Sequence, residues 1–184
     1  SYICGFTTNP SLMKKAGIKD YKNFALDVLK IIKNKPVSFE IFSDEISEMD
    51  DQAREIASWG KNIFVKIPIT NSKGEKTSNL VHNLSKDGIK CNITAVLTVE
   101  QVSEIYEKIE NNTDTIISIF AGRIADSGKD PEIIIKNIIK LFHKKKNVQI
   151  LWASCREIFN FYQAKKIGCH IITMPPKFIE KLNK

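Results

Sequence analysis

The feature that most limits the fold is an alternation of short apolar runs and amphipathic stretches along the whole 184-residue chain. Seven runs read as buried strands: ICGFT (3–7), VSFEIF (37–42), IFVKI (63–67), KCNITAV (90–96), TIISIF (115–120), VQILWA (148–153) and HIITM (170–174). They are short, rich in β-branched and aromatic residues, and bounded by turn-forming sequence. Between them lie segments with helical spacing. YKNFALDVLKIIK sets Phe24, Leu26, Val28, Leu29 and Ile32 broadly on one side. SDEISEMDDQAREIASWG opens with cap-type Ser43 and Asp44 and ends at Gly60. LTVEQVSEIYEKIEN and DPEIIIKNIIKLF behave alike, the second with Asp130 as N-cap and Pro131 at the first helical position. Such alternation calls for parallel strands joined by crossover helices. An open doubly wound sheet and a closed β/α barrel both meet that demand.

Polar residues inside the apolar runs separate the two. Side chains alternate faces along a strand. In 63–67, Ile63, Val65 and Ile67 share one face, while Phe64 and Lys66 share the other. By the same rule Phe39 and Ile41 oppose Ser38, Glu40 and Phe42, and Ile93 and Ala95 oppose Asn92 and Thr94. Ile117 and Ile119 oppose Ser118 and Phe120, and Leu151 and Ala153 oppose Trp152 and Ser154. Each strand thus offers a plain face to helices and a second face with a polar group near its C-terminal end. Glu40, Lys66, Thr94 and Phe120 follow at intervals of 26, 28 and 26 residues, with Ser154 34 further on. Those intervals match one βα unit. The pattern fits a barrel with its site at the C-terminal rim. Lys66 is the most demanding member, because an ammonium is costly to bury unless paired or neutralised. An edge strand, or a side chain reaching back to solvent, explains Lys66 alone. A nucleophilic amine explains it together with its companions.

Composition narrows the function. With 42% hydrophobic and 27% charged residues the chain is that of a soluble globular protein, a single domain over 1–184. No apolar stretch approaches the roughly 20 residues of a membrane span. The start, SYICGFTTNP, shows no signal peptide. The net charge of +7 is spread over the chain, and its densest cluster, KLFHKKKN (140–147), falls where a helix should end. Cations there complement the helix dipole, so a nucleic-acid partner is not expected; an anionic small substrate is. Cys4, Cys91, Cys155 and Cys169, like His82, His143 and His170, lack metal-ligand spacing. Reduced thiols in a cytoplasm, no metal and no Gly-rich phosphate loop are the expectations.

Five segments together resemble the transaldolase family, in its short single-barrel branch that includes fructose-6-phosphate aldolases. They are GFTTNPSLMKKAG (5–17), FVKIPIT (64–70), CNITAVLT (91–98), SIFAGRIAD (118–126) and ILWASCRE (150–157), which run in family order. The resemblance implies a (β/α)8 TIM barrel and a class I aldol mechanism without metal or organic cofactor. Lys66 falls on the family's Schiff-base lysine. By position, Glu40 and Thr94 hold a catalytic water, and Asn9, Asn92 and Ser118 bind hydroxyls of a dihydroxyacetone unit, beside Thr8. Arg123, Arg156 and Ser154 bind phosphate, and Phe120 lines the pocket. Substrates are phosphorylated sugars, and a homo-oligomer is implied. Transaldolases of the family tend to carry Glu and Phe where the aldolases carry Gln and Tyr. Glu40 and Phe120 therefore favour transfer over cleavage.

The resemblance also sets departures. The family has a further strand before GFTTNP, carrying an Asp that acts on the C4 hydroxyl. The chain starts at Ser1, so seven strands are expected instead of eight. It stops at PPKFIEKLNK, without the family's C-terminal helix. The preferred expectation is a chain trimmed at both ends, since an open barrel exposes two strand edges. Other Schiff-base barrels fit the TTNP and ASCR segments less well. A barrel that binds sugar phosphates without catalysis is the rival outside enzymes. Taken singly, Asn9 is a helix start, Thr94 a β-former, Arg123 and Arg156 surface residues, and Trp152 core or pocket wall.

Overall fold

The computed structural model describes residues 3–182, where seven parallel strands form one sheet in sequential order. The strands are β1 (Phe6–Thr7), β2 (Val37–Glu40), β3 (Ile63–Pro68), β4 (Cys91–Val96), β5 (Thr115–Ile119), β6 (Val148–Trp152) and β7 (Ile171–Ile172). The helices are α1 (Pro10–Lys15), α2 (Tyr21–Ile31), α3 (Ile46–Ser58), α4 (Ser78–Lys86), α5 (Val99–Ser103), α6 (Ala121–Asp126), α7 (Pro131–Phe142), α8 (Phe159–Lys166) and α9 (Pro176–Leu182). The first and last strands of a flat seven-stranded sheet would stand close to 30 Å apart, at about 4.8 Å per strand. Here the Thr7 and Thr173 hydroxyls are 2.9 Å apart. The sheet has curled into a partial barrel. Side chains close its seam; no backbone ladder joins β1 to β7 among the described residues.

Two apolar clusters record the alternation. Ile63, Val65 and Ile67 join Phe39, Ile93, Ile117 and Ile119 in the main core between sheet and helices. Phe64, Ile116, Leu151 and Ala153 form a second, smaller cluster on the inner face, with Phe120 and Ile171 against it. Strand β6 corrects the sequence reading. Leu151 and Ala153 face inward, whereas Trp152 lies in the helix-side core at 1% exposure. Ser154 therefore owes its position not to strand alternation but to a turn, with φ of 61°.

Several boundaries also move. Strand β2 ends at Glu40, and Phe42 is 52% exposed, its ring edge-on to Tyr21 at 4.6 Å. Helix α3 starts at Ile46, because Asp44 turns to accept from the Ser72 N–H and hydroxyl, pinning the loop after β3. The stretch 97–111 does not form one helix. The Ser103 hydroxyl donates to the Val99 carbonyl, and α5 stops there before a 3₁₀ turn at Tyr106–Lys108. Helix α9 follows β7 over Pro176–Leu182. No helix among the described residues is long and apolar enough to cross a membrane.

Candidate active site

Lysine 66 answers to a carboxylate. Its Nζ donates to Glu40 Oε2 at 2.9 Å, with side-chain exposures of 11% and 16%. The pairing follows from register: Glu40 on β2 and Asn92 on β4 are the direct neighbours of Lys66 on β3. All three share the inner face. The Tyr21 phenol, at the start of α2, holds the backbone of Glu40 by donating to its carbonyl at 3.0 Å. Burial pushes that phenol above its ordinary range, so it stays a donor. The group with which the lysine pairs is thus an anion.

Beside the pair runs a buried hydrogen-bonded row. Ser118 Oγ donates to Asn92 Oδ1 at 2.6 Å, and Asn92 Nδ2 donates to Ser38 Oγ at 3.0 Å. All three residues are at most 2% exposed. The row leaves Asn92 one N–H and one lone pair, and leaves Ser118 acceptor capacity only. A ligand hydroxyl at Ser118 must therefore donate. Ser38 was seen on the inner face from sequence but given no role; its bond to Asn92 spans 54 positions, beyond local pattern.

Thr94 lies in the same strand as Asn92. Its hydroxyl is buried and has no hydrogen-bond partner among the described residues. The backbone is irregular here: β4 slips register against β5 between Ile93 and Val96, and Ala95 has φ of 59°. Bulges and positive φ at non-glycine residues recur where a side chain is re-aimed at a site. Thr94 and Glu40 do not bond each other directly. Asn9 does not join the row either. Its Oδ1 accepts from the Leu12 N–H at 2.9 Å as N-cap of α1, leaving Nδ2 to donate. Thr8 is half-buried, tied by its N–H to the Ser38 carbonyl at 3.1 Å.

The arginines form a separate, exposed corner. Gly122 packs so tightly under the loop after β6 that a Cβ there would stand 1.9 Å from the Ser154 carbonyl oxygen. The same atom would lie 3.0 Å from Arg156 Nε and from Ser154 Oγ. This backbone approach draws α6, with Arg123, against Ser154 and Arg156. Arg123 is exposed. Arg156 pairs through Nε and Nη2 with Asp126. Its N–H is held by Asn160 Oδ1 at 2.8 Å. Neither Asp126 nor Asn160 was singled out from sequence, since each acts across a loop. Phe120 starts α6 and packs on the inner cluster.

Fold and site define a partial β/α barrel with a buried lysine–carboxylate pair and a row of amides and hydroxyls on its inner face. A profile of the Transaldolase/Fructose-6-phosphate aldolase family matches residues 1–184, and the chain belongs to that family. It is 37% identical over 183 residues to a "Probable transaldolase" of Thermoanaerobacter sp. (strain X514), covering 99% of this chain and 80% of that protein. It is 33% identical over 181 residues to another "Probable transaldolase", from Dehalococcoides mccartyi, covering 98% and 80%. Among solved structures, a mandelate oxidase variant with 2-hydroxy-phenylacetamide aligns at TM-score 0.57 and 9% identity, over 82% of this chain and 51% of that one. A second variant, with benzaldehyde, aligns at TM-score 0.56 and 9% identity, over 81% and 51%. The chain thus spans about half the length of those solved chains, and at such identity the likeness concerns fold alone.

Proposed function

We propose that the protein is a Schiff-base transaldolase, moving a dihydroxyacetone unit from a ketose phosphate to an aldose phosphate. The donor is sedoheptulose 7-phosphate or fructose 6-phosphate. The observation that carries the reading is the buried Lys66 on the inner face with Glu40 at 2.9 Å. Family membership supports it independently. Glu40 is within reach to take the ammonium proton, directly or through a water bonded also to the Thr94 hydroxyl. The freed amine attacks the C2 carbonyl. Loss of water from the carbinolamine gives the Schiff base, which accepts the electron pair when the C3–C4 bond breaks and the C4 hydroxyl passes its proton to a water. The enamine then attacks the acceptor aldehyde, and hydrolysis frees Lys66. Asn9, Asn92 and Ser118 bind the hydroxyls of the transferred unit; Arg123, Ser154 and Arg156 bind the phosphate.

Phe120 favours transfer over simple cleavage, since a phenyl ring has no acid to protonate the enamine and release dihydroxyacetone. In this reading the curled sheet is seven-eighths of a (β/α)8 barrel, and the enzyme works in the cytoplasm as a homo-oligomer. The test is borohydride trapping with fructose 6-phosphate, followed by peptide mass mapping. A reduced sugar adduct on Lys66, with sedoheptulose 7-phosphate formed once erythrose 4-phosphate is added, is the expected result. Free dihydroxyacetone without acceptor points to an aldolase. Folded protein that yields no adduct on Lys66 overturns the Schiff-base mechanism.

A further inference from the structure

We infer that Asp126 is a positioning residue that sets the phosphate selectivity of the site by aiming the Arg156 guanidinium. The inference rests on the reading of Arg156 as a phosphate ligand. Asp126 takes the side of the guanidinium formed by Nε and Nη2, with Nε donating to Oδ1 at 3.3 Å and Nη2 to Oδ2. A carboxylate on that side leaves the end formed by Nη1 and the outer hydrogen of Nη2 for a second anion. The rest of Arg156 is fixed as well. Asn160 holds its backbone N–H, and Gly122 lets the chain of Ser154 lie directly on α6, the helix that ends at Asp126.

Exposed single ion pairs usually contribute little, because ordering two long side chains offsets the attraction. Here that ordering is the function. A guanidinium held before the ligand arrives loses less freedom on binding, and the free energy appears as affinity for phosphate. Asp126 also carries a charge that repels a phosphate, so the two effects oppose each other. Preorganisation predicts that removing Asp126 weakens phosphate binding. A mere competitor for Arg156 would do the reverse.

The experiment compares Asp126→Ala, Asp126→Asn and Arg156→Ala in the intact chain. Asp126 is about half exposed, so neither of its variants disturbs the core. Affinity for inorganic phosphate is read by calorimetry, and kcat/KM is measured with fructose 6-phosphate and with unphosphorylated fructose. Asp126→Ala is expected to weaken phosphate about tenfold and to lower kcat/KM for fructose 6-phosphate by a similar factor. The value for fructose should move less than twofold. Asp126→Asn, which keeps one acceptor oxygen, recovers part of the loss. If Arg156→Ala weakens phosphate while Asp126→Ala leaves it unchanged or tightens it, the positioning role is wrong and the phosphate reading stands. If Arg156→Ala itself changes nothing, the phosphate reading falls, and the inference with it.

Discussion

At position 94 a threonine hydroxyl is buried at 1% exposure with no hydrogen-bond partner among the described residues. A buried, unpaired hydroxyl is an expense without structural return, so its removal tests function almost free of folding. Thr94→Val keeps the shape and deletes the hydroxyl. Its melting temperature should equal or exceed the parent's, while kcat with fructose 6-phosphate falls about 100-fold; a drop in both would make Thr94 structural. Glu40→Ala behaves oppositely. It leaves the Lys66 ammonium without its carboxylate and costs about 3 kcal/mol, seen in denaturant unfolding. The inward position of both was legible from period-2 alternation, because each shares a face with another polar residue, Ser38 or Asn92, opposite an apolar face. What Ser38, Asp126 and Asn160 do was not. Their roles lie in hydrogen bonds to Asn92 and Arg156, set by how distant segments pack.

At the scale of elements, strand alternation read correctly for β3, for β5, for β2 as far as Glu40 and for β4 as far as Thr94. Beyond those points Phe42 is exposed, and the register slip sets Val96, not Ala95, in the helix-side core. At β6 the reading failed, because Trp152 faces the helices. Both faces of β6 are apolar near its end, so hydrophobicity gives no direction. The α6 segment illustrates what spacing cannot show. Its glycine is needed for closeness, not for φ: a Cβ at 122 would meet the Ser154 carbonyl at 1.9 Å. Backbone on both sides leaves nothing flexible to yield. Gly122→Ala should cost about 2 kcal/mol through forced displacement of the 154–156 loop. It should also weaken phosphate binding more than any single loss of an Asp126 contact, because Ser154 and Arg156 move together. Unfolding midpoints and phosphate calorimetry on one preparation check both effects. An unchanged midpoint would mean that the loop slides away at no cost.

For the whole molecule, the number and direction of strands and the barrel-like curl were legible in the sequence, but the side-chain contact that closes the seam was not. Only the curled sheet brings Thr7 and Thr173 together, 166 positions apart. Packing of helices onto the outer face of the sheet also covers three weak acids. Burial pushes the Cys91 thiol up to about 12 and the Cys169 thiol up to about 11, and the Tyr21 phenol rises above its ordinary range. Unfolded thiols titrate near 8.5. Below that value both states keep their protons and the contribution to stability is whole. Above it the unfolded chain releases protons that the native chain retains, so stability falls as pH rises toward the folded values. Each thiol contributes a slope of up to about 1.4 kcal/mol per pH unit through that window. Urea unfolding between pH 7 and 10.5 should show a flat region followed by a decline. Cys91→Ala should start lower, because it leaves a small cavity, yet decline less steeply. Equal slopes for parent and variant would show that Cys91 ionises as readily in the folded barrel as in the open chain.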